Sequence, residues 1–247
     1  MPAIAVEHLT KRYPSGTLAL DDINLEVDAG EFVSVVGPSG CGKSTLLRIM
    51  AGLDSASDGR IVIDAPASSR AQLTSAVVFQ EQSLFPWMNV ADNIAFAFDS
   101  MKIERADVER RVAKELELVG LAPFAAFYPH QLSGGMKQRA AVARAFAVDP
   151  PVLFMDEPFG ALDEQTRVAL AGELMAIWER TRKTIVFITH GIEEAIALAD
   201  RVVVLSRGPG TVKAVISIDF ARPRNVVKLR GDPRFGEYVV KIWDLLA

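Results

Sequence analysis

The first third of the chain alternates short apolar runs with polar turns, and the apolar runs predict β-strands. The run at residues 32–36 is almost wholly apolar and stops at Gly37. This pattern is typical of a strand that is buried on both faces. Helical spacing begins at Lys43 and ends near Gly52. A strand, a glycine-rich turn and a helix therefore follow one another directly. The predicted strands of this region cover residues 3–7, 24–27, 32–36, 60–63 and 76–79.

The pattern changes to helical spacing between residues 81 and 150, without a convincing strand. Strands and helices alternate again from residue 151, which indicates a mostly parallel sheet covered by helices. Asp163 is suited to cap the helix that follows it. The remaining predicted elements are helices at 105–119, 136–148, 164–182, 192–199 and 233–246 and strands at 152–155, 184–189 and 201–206.

We therefore predict an α/β fold in a single domain with an inserted helical part. The core is assigned to residues 1–80 and 151–222 and the α-helical subdomain to residues 81–150. Residues 223–247 form a charged and aromatic tail that ends in a predicted helix.

Composition narrows the possible functions. Of the 247 residues, 50% are hydrophobic and 23% are charged, which is typical of a soluble globular protein. A net charge of −4 argues against a general nucleic-acid binder. The one cysteine, Cys41, fits a reducing compartment. The first residues lack the pattern of a secretory signal, and no run reaches the roughly 18 apolar residues of a membrane span. We expect a cytoplasmic protein that serves a membrane, if at all, from its surface.

The sequence GPSGCGKST at residues 37–45 matches the phosphate-binding pattern G-x-x-x-x-G-K-[ST] in full. Glycines let the backbone curl so that N–H groups point at phosphate oxygens, and the next helix adds its positive N-terminal end. Lys43 is expected to reach the β- and γ-phosphates of ATP, and the Ser44 hydroxyl to bind Mg²⁺. The alternative, a chance glycine-rich turn, is disfavoured because the motif lies between a buried strand and a helix.

The sequence VLFMDEP at residues 152–158 ends an apolar run in two carboxylates. A buried strand delivers such side chains to the carboxyl edge of a sheet. Asp156 is expected to hold Mg²⁺, directly or through water, and Glu157 to polarise the attacking water as a general base. Alone, such a pair is more often a helix cap or a surface turn, but the phosphate-binding motif favours the catalytic interpretation.

The sequence LSGGMKQR at residues 132–139 is a third candidate. Ser133 is suited to cap the next helix, and Gly134 and Gly135 leave its N–H groups uncovered. An ordinary glycine-rich helix start is the alternative. Because one phosphate loop already serves one ATP, we expect this helix end to meet the ATP of a second molecule.

In this order and separation, the three motifs resemble the nucleotide-binding subunit of ATP-binding cassette transporters, over essentially the whole chain. This resemblance implies a P-loop NTPase core with an N-terminal antiparallel β subdomain and an inserted helical subdomain. It also implies that Tyr13 stacks on adenine, that Gln80 touches Mg²⁺ and water, and that His190 contacts the γ-phosphate. Asp163 would lie on a loop that crosses the dimer interface. Gly191 replaces the Asp usual in such importers, so weaker capping of the next helix is expected there.

The resulting site comprises three sets of residues. The catalytic set is Lys43, Gln80, Glu157 and His190, the Mg²⁺ ligands are Ser44, Gln80 and Asp156, and the ATP-binding residues are Tyr13, Gly37, Pro38, Ser39, Gly40, Cys41, Gly42, Lys43, Ser44, Thr45, Ser133, Gly134, Gly135 and Asp163. His8 and His130 are given no role. A bulky thiol reagent at Cys41 is expected to block ATP binding, and ATP to protect the thiol.

The resemblance further implies a head-to-tail dimer with two ATP molecules at its interface. Its partners would be two transmembrane permease subunits and, indirectly, a periplasmic solute-binding protein, at the cytoplasmic face of the inner (plasma) membrane. Residues 84–93 are expected at the lip of a groove that receives a membrane helix. Phe85, Pro86 and Trp87 either dock there or are ordinary core. Residues 78–96 and 159–167, together with the tail, look most like importers of nitrate, sulfonates and taurine.

Three alternatives remain. An exporter or lipid-transport cassette shares every catalytic residue. A non-transport ATPase of translation or DNA repair typically has paired cassettes or a long coiled-coil insertion, neither of which is visible here. A cassette that binds ATP without turnover is disfavoured by the presence of Glu157 and His190.

Overall fold

The computed structural model describes residues 2–64, 74–80, 83–99, 101 and 103–247. Parts of the predicted core (residues 1 and 65–73) and of the predicted helical subdomain (residues 81–82, 100 and 102) lie outside the described residues. The strands are β1 Ile4–Arg12, β2 Leu18–Val27, β3 Phe32–Val36, β4 Asp58–Ile63, β5 Ser75–Val78, β6 Val152–Asp156, β7 Thr184–Ile188, β8 Arg201–Leu205 and β9 Val212–Ser217. The helices are α1 Lys43–Met50, α2 Val90–Ala95, α3 Arg105–Leu118, α4 Gly134–Ala147, α5 Glu164–Thr181, α6 Ile192–Leu198, α7 Val226–Leu229 and α8 Pro233–Leu246.

The strands that the structure describes form two sheets. The larger has the order β5-β6-β7-β3-β8-β9, in which β5, β6, β7, β3 and β8 are parallel and β9 pairs with β8 in the antiparallel sense. The smaller is antiparallel, with the order β2-β1-β4. The predicted α/β fold, with a mostly parallel sheet and an N-terminal antiparallel β part, is confirmed.

Every residue of β3, β6 and β7 is buried. Successive side chains of a strand point to opposite faces, so each strand contributes to two apolar clusters. Phe32 and Val36 of β3 belong to the cluster that includes α4 and α5, whereas Val33 and Val35 belong to the cluster that includes α1 and the antiparallel sheet. The three strands are therefore fixed on both sides, and the loops at their carboxyl ends are held at one edge of the sheet.

Helices α2, α3 and α4 lie between β5 and β6 in the chain and pack against one another. Ala140, Ala143 and Phe146 of α4 share an apolar cluster with Leu153 and Met155 of β6. The helical part is thus joined to the sheet through α4. Its exact boundaries stay a prediction. Among the described residues, no helix is both long and apolar enough to cross a bilayer.

The predicted elements differ from the structure mainly where strands carry polar residues. Strands β1 and β2 are longer than predicted because their antiparallel pairing continues past exposed polar positions to Arg12 and Leu18. The edge strand β9 is not predicted, since only Ile216 of it is fully buried and its apolar pattern is weak. The short helices α2 and α7 are also missed. The last predicted helix agrees with Pro233–Leu246.

Candidate functional site

The loop between β3 and α1 needs glycine at two positions. Gly40 and Gly42 have φ values of 76° and 96°, in the left-handed region that side chains disfavour. A Cβ at Gly42 would also lie 2.7 Å from Leu20 Cδ2 and 2.8 Å from the carbonyl oxygen of Ala19. The loop therefore curls as the phosphate-binding motif predicts, and α1 begins directly after it.

The ammonium group of Lys43 lies against this loop. Its Nζ donates to the carbonyl oxygens of Gly37 at 2.8 Å and Pro38 at 3.2 Å, and the residue is 7% exposed. The first N–H groups of a helix have no partner within that helix. Lys43 and the start of α1 therefore concentrate positive charge at one point, which suits a phosphate group.

Ser44 and Asp156 join this loop to the end of β6. The Ser44 hydroxyl donates to Asp156 Oδ1 at 3.0 Å. Burial raises the pKa of the Asp156 carboxyl, the Ser44 hydrogen bond opposes this, and the neighbouring Glu157 carboxylate raises it further. Mg²⁺ prefers oxygen ligands and is held in such sites by one or two carboxylates together with phosphates. The hydroxyl and carboxylate oxygens of this pair fit that ion.

Glu157 has an unusual backbone conformation for a residue with a side chain, with a φ of 46°. Its N–H donates to the carbonyl oxygen of Ile188 at 2.9 Å, and its carbonyl accepts from Gly160 N at 3.0 Å. Its carboxylate Oε2 lies 3.3 Å from Nδ1 of His190, just beyond the end of β7. Strained residues cluster at functional sites, so this carboxylate–imidazole pair is the strongest candidate for chemistry.

A cleft of about 640 Å³ is lined by Lys43, Ser44 and Glu157. Tyr13 stands on its wall and its hydroxyl is 3.1 Å from Thr45 Oγ1. The cleft is large enough for a small-molecule ligand. Its described lining residues are Tyr13, Thr17, Leu18, Ala19, Ser39, Gly40, Gly42, Lys43, Ser44, Thr45, Glu157, Gly208 and Pro209.

Ten predicted site residues are absent from the described lining of this cleft: Gly37, Pro38, Cys41, Gln80, Ser133, Gly134, Gly135, Asp156, Asp163 and His190. The Ser133 hydroxyl caps α4 by accepting from Met136 N at 3.3 Å, as predicted, and both Ser133 and Gly134 are exposed. Asp163 caps α5 by accepting from the backbone N–H and the hydroxyl of Thr166, and these bonds lower its pKa.

Gln80 also stands apart from the cleft, in a second cavity of about 650 Å³ that His130 and Lys137 help to line. It lies beside the loop after Glu157, since a Cβ at Gly160 would be 3.4 Å from Gln80 Nε2.

The Cys41 side chain points away from the cleft. Its residue exposure is 0%, its thiol packs in the cluster below the loop, and burial raises the thiol pKa. A Cβ at Gly37 would be 2.6 Å from Cys41 Sγ. From the sequence, a thiol reagent at Cys41 is expected to block ATP binding and ATP to protect the thiol. In the structure, the packing of the thiol leaves only the backbone of Cys41 to face a phosphate. Modification of the folded chain is therefore expected to be slow.

The turn that carries His190 is fixed by two residues that the sequence pattern does not predict, Thr189 and Glu194. The Thr189 hydroxyl donates to the Glu194 carboxylate and accepts from Gly191 N at 2.9 Å. Gly191 is the N-cap of α6 and has no capping side chain, as expected. In the sequence, this contact is indicated only by a Thr at the end of a predicted strand with a Glu five residues later.

The chain matches the family model described as ABC transporter over residues 20–160. It is similar to a nitrate import ATP-binding protein of Synechococcus elongatus, with 45% identity over 232 residues, or 93% of this chain and 85% of that protein. It is also similar to an aliphatic sulfonates import ATP-binding protein of Bacillus thuringiensis, with 43% identity over 225 residues, or 90% and 88%. A dimeric ATP-binding cassette in a post-hydrolysis state with ADP and Pi shares its fold, with a TM-score of 0.74 and 31% identity, over 88% of this chain and 100% of that one.

We expect Asp156→Asn to raise the free energy of unfolding of the nucleotide-free chain at pH 7, because it removes a buried charge. Because the pKa of Asp156 is raised in the folded chain, protonation of its carboxyl removes the buried charge as the pH falls through that pKa. The wild-type chain then regains the stability that the buried charge costs at pH 7. The difference between the two chains should therefore shrink at acidic pH. Urea unfolding with a metal chelator present, at pH 7 and at acidic pH, measures it.

Asp232→Asn is the matched control, because Arg234 lowers the pKa of the Asp232 carboxyl. This control should lose stability at pH 7. A less stable Asp156→Asn chain at pH 7 would contradict the argument.

Proposed function

Since this chain belongs to the ABC transporter family and is an ATP-binding, ATP-hydrolysing subunit, we propose that it powers the import of a small oxyanion such as nitrate or a sulfonate. The observation that carries the site assignment is the meeting of Lys43, Ser44, Asp156, Glu157 and His190 at one edge of the sheet. The cargo is inferred from the two import proteins to which the chain is similar.

We assign each group at that edge a separate task. Lys43 and the N–H groups of α1 bind the phosphates of ATP. Ser44 and Asp156 hold Mg²⁺, with Gln80 approaching from the adjoining loop, and that ion neutralises phosphate charge when bound. Glu157 takes a proton from the attacking water, while His190, 3.3 Å from it, orients toward the γ-phosphate. Tyr13 stacks on the adenine.

A second copy of the chain completes the site in this proposal. Ser133 and Gly134 are exposed at the start of α4, and Asp163 is exposed at the start of α5. A helix N-terminus with uncovered N–H groups attracts a phosphate. Head-to-tail pairing would bring this end to the partner's ATP, and the solved cassette with ADP and Pi is a dimer.

The permease subunits are proposed to dock beside an aromatic cluster before α2. The ring of Phe85 is 5.4 Å from that of Trp87 and 4.5 Å from that of Phe96, and Trp87 is 70% exposed. Trp87 is therefore not a core residue. Asn93, fully buried, holds this loop by accepting from Phe85 N at 2.7 Å and donating to three carbonyls. A groove of about 440 Å³ runs past Phe85, between β5 and α4.

An exposed aromatic next to the residues that line a groove suits a partner helix, and large aromatic side chains dominate the binding energy of many interfaces. Bound there, the chain would lie at the cytoplasmic face of the inner membrane as a peripheral subunit. A periplasmic solute-binding protein would deliver the cargo.

Glu157→Gln tests the general-base role. We expect ATP binding to persist, turnover to fall by roughly 10²–10⁴-fold, and an ATP-bound dimer to accumulate, because the water loses its proton acceptor. Phosphate release and size-exclusion chromatography measure these effects. Glu237→Gln, an exposed position on α8, is the control. Near-normal hydrolysis by Glu157→Gln would refute the assignment.

Trp87→Ala tests the docking surface. We expect at least ~10-fold weaker association with the permease subunits and unchanged ATP hydrolysis by the isolated chain, because the aromatic lies outside the cleft. Pull-down with membranes that contain the permeases measures association. Leu53→Ala removes another exposed apolar side chain, 57% exposed on the core, and should bind normally.

Deletion of the gene tests the cargo. Growth on nitrate as the nitrogen source or on a sulfonate as the sulfur source should be lost, and growth on ammonium and sulfate should be retained. The intact gene should restore growth, and the Glu157→Gln gene should not. Unimpaired growth on both test nutrients would reject the proposed cargo while leaving the ATPase assignment intact.

A further inference from the structure

The C-terminal tail holds the far end of α6, the helix that follows His190. The guanidinium of Arg224 is buried and donates to the carbonyl oxygens of Ala199 at 2.7 Å and Ile218 at 3.0 Å. Arg222, the residue just before the tail, donates to the carbonyl of Leu198 at 2.9 Å. Burial lowers the pKa of Arg224 to about 10, so its charge persists at neutral pH. Cations are favourable at the C-terminal end of a helix, so these two arginines fix that end of α6.

Arg230, just after α7 in the same tail, reaches the opposite end of α6. Its Nη2 atom is 2.7 Å from Glu164 Oε1 and 2.9 Å from Glu193 Oε2. Glu164 follows Asp163 directly, and Glu193 is in the first turn of α6, three residues after His190. One guanidinium therefore joins the segment that carries Asp163 to the helix that carries His190.

Further polar contacts extend this link on the Asp163 side. Arg167 Nη1 is 3.4 Å from the second oxygen of Glu164, and its Nη2 donates to the carbonyl of Leu162 at 3.0 Å. On the other side, the bonds of Thr189 to Glu194 and Gly191 fix the turn at His190. The described contacts thus run from the residue before Asp163, through Arg230, to the residues that flank His190.

We propose that Arg230 is a positioning residue of the ATPase site, which holds the Asp163 and His190 segments at a fixed separation. Its ion pairs are with Glu164 and Glu193, so it acts through them, and it shares a cavity of about 340 Å³ with these two residues and His190. This inference rests on the proposed roles of Asp163 and His190. Misplacement of a catalytic group by about 1 Å can lower a rate ~100-fold.

The solvent exposure of these three side chains distinguishes a positioning role from a role in global stability. The side chains of Arg230, Glu164 and Glu193 are 41%, 59% and 52% exposed. Ion pairs that exposed contribute little to global stability, because water and salt screen them. Loss of Arg230 should therefore change the geometry of the site more than the stability of the chain.

The full-length Arg230→Ala chain tests this. We expect kcat for ATP to fall by about 3- to 10-fold, with KM within about 2-fold and the thermal midpoint almost unchanged, since the change misplaces groups without removing a phosphate ligand. Arg230→Lys should restore part of kcat. Glu193→Gln, which keeps Arg230 and weakens only its bond to α6, should lower kcat in the same way.

Arg234→Ala is the matched control, because Arg234 lies in the same tail and pairs with Asp232 at 2.8 Å within that tail. It should keep wild-type kcat. An equal loss in this control would assign the effect to the tail in general and overturn the proposal, as would an unchanged kcat in Arg230→Ala.

A measurement without nucleotide tests the positioning role of Arg230 independently of the proposed function. The chain has three histidines, so imidazole NMR signals of His190 are followed with those of His8 and His130 as internal references. Arg230→Ala should shift or broaden the His190 signal only. An unchanged His190 signal would overturn the positioning role. Absence of ATP hydrolysis by the wild-type chain would instead reject the proposed function, with the NMR result still standing on its own.

Discussion

Burial of β3, β6 and β7 on both faces is the constraint on which the rest of this structure depends. Each of these strands is wholly buried, so each is fixed by two apolar clusters at once. Because the strands are parallel, their carboxyl ends meet at one edge of the sheet. The phosphate-binding loop, the Asp156–Glu157 pair and His190 follow those ends directly. Packing of apolar residues thereby sets the distances between polar groups that lie far apart in the chain.

The same rigid sheet supports features that would be unfavourable in isolation. Glycines at 40 and 42 and the non-glycine Glu157 adopt left-handed backbone conformations. Asp156 is buried with its pKa raised, and Lys43 is buried against carbonyl oxygens. Such strain and desolvation persist only where the surroundings over-determine the conformation. Glu157, Asp156 and Lys43 lie at the sheet edge where phosphate, metal ion and water are proposed to meet.

The proposed site is also distributed over separate parts of the molecule. The start of α4 faces solvent, whereas the nucleotide cleft is built by the sheet and α1. Tail residues bind both ends of α6, through Arg224, with Arg222 just before the tail, at one end and Arg230 at the other. The tail is therefore part of the support of His190.

The sequence by itself determined the local chemistry. The glycine pattern at residues 37–45, the acidic pair after an apolar run and the Ser133 and Asp163 caps are all encoded within a few neighbouring positions, so spacing alone predicts them. The parallel core strands were predictable for the same reason, whereas the half-exposed strand β9 was not.

Only the tertiary structure decided which of these groups meet and which way their side chains point. The contacts of Glu157 with His190 and of Arg230 with Glu164 join residues 33 and 66 positions apart. Cys41 lies in the phosphate-binding loop, but its thiol points into the core because the apolar cluster below the loop receives it. Sequence spacing fixes the conformation of adjacent residues, whereas contacts between distant residues and the direction of a side chain depend on how the whole core packs.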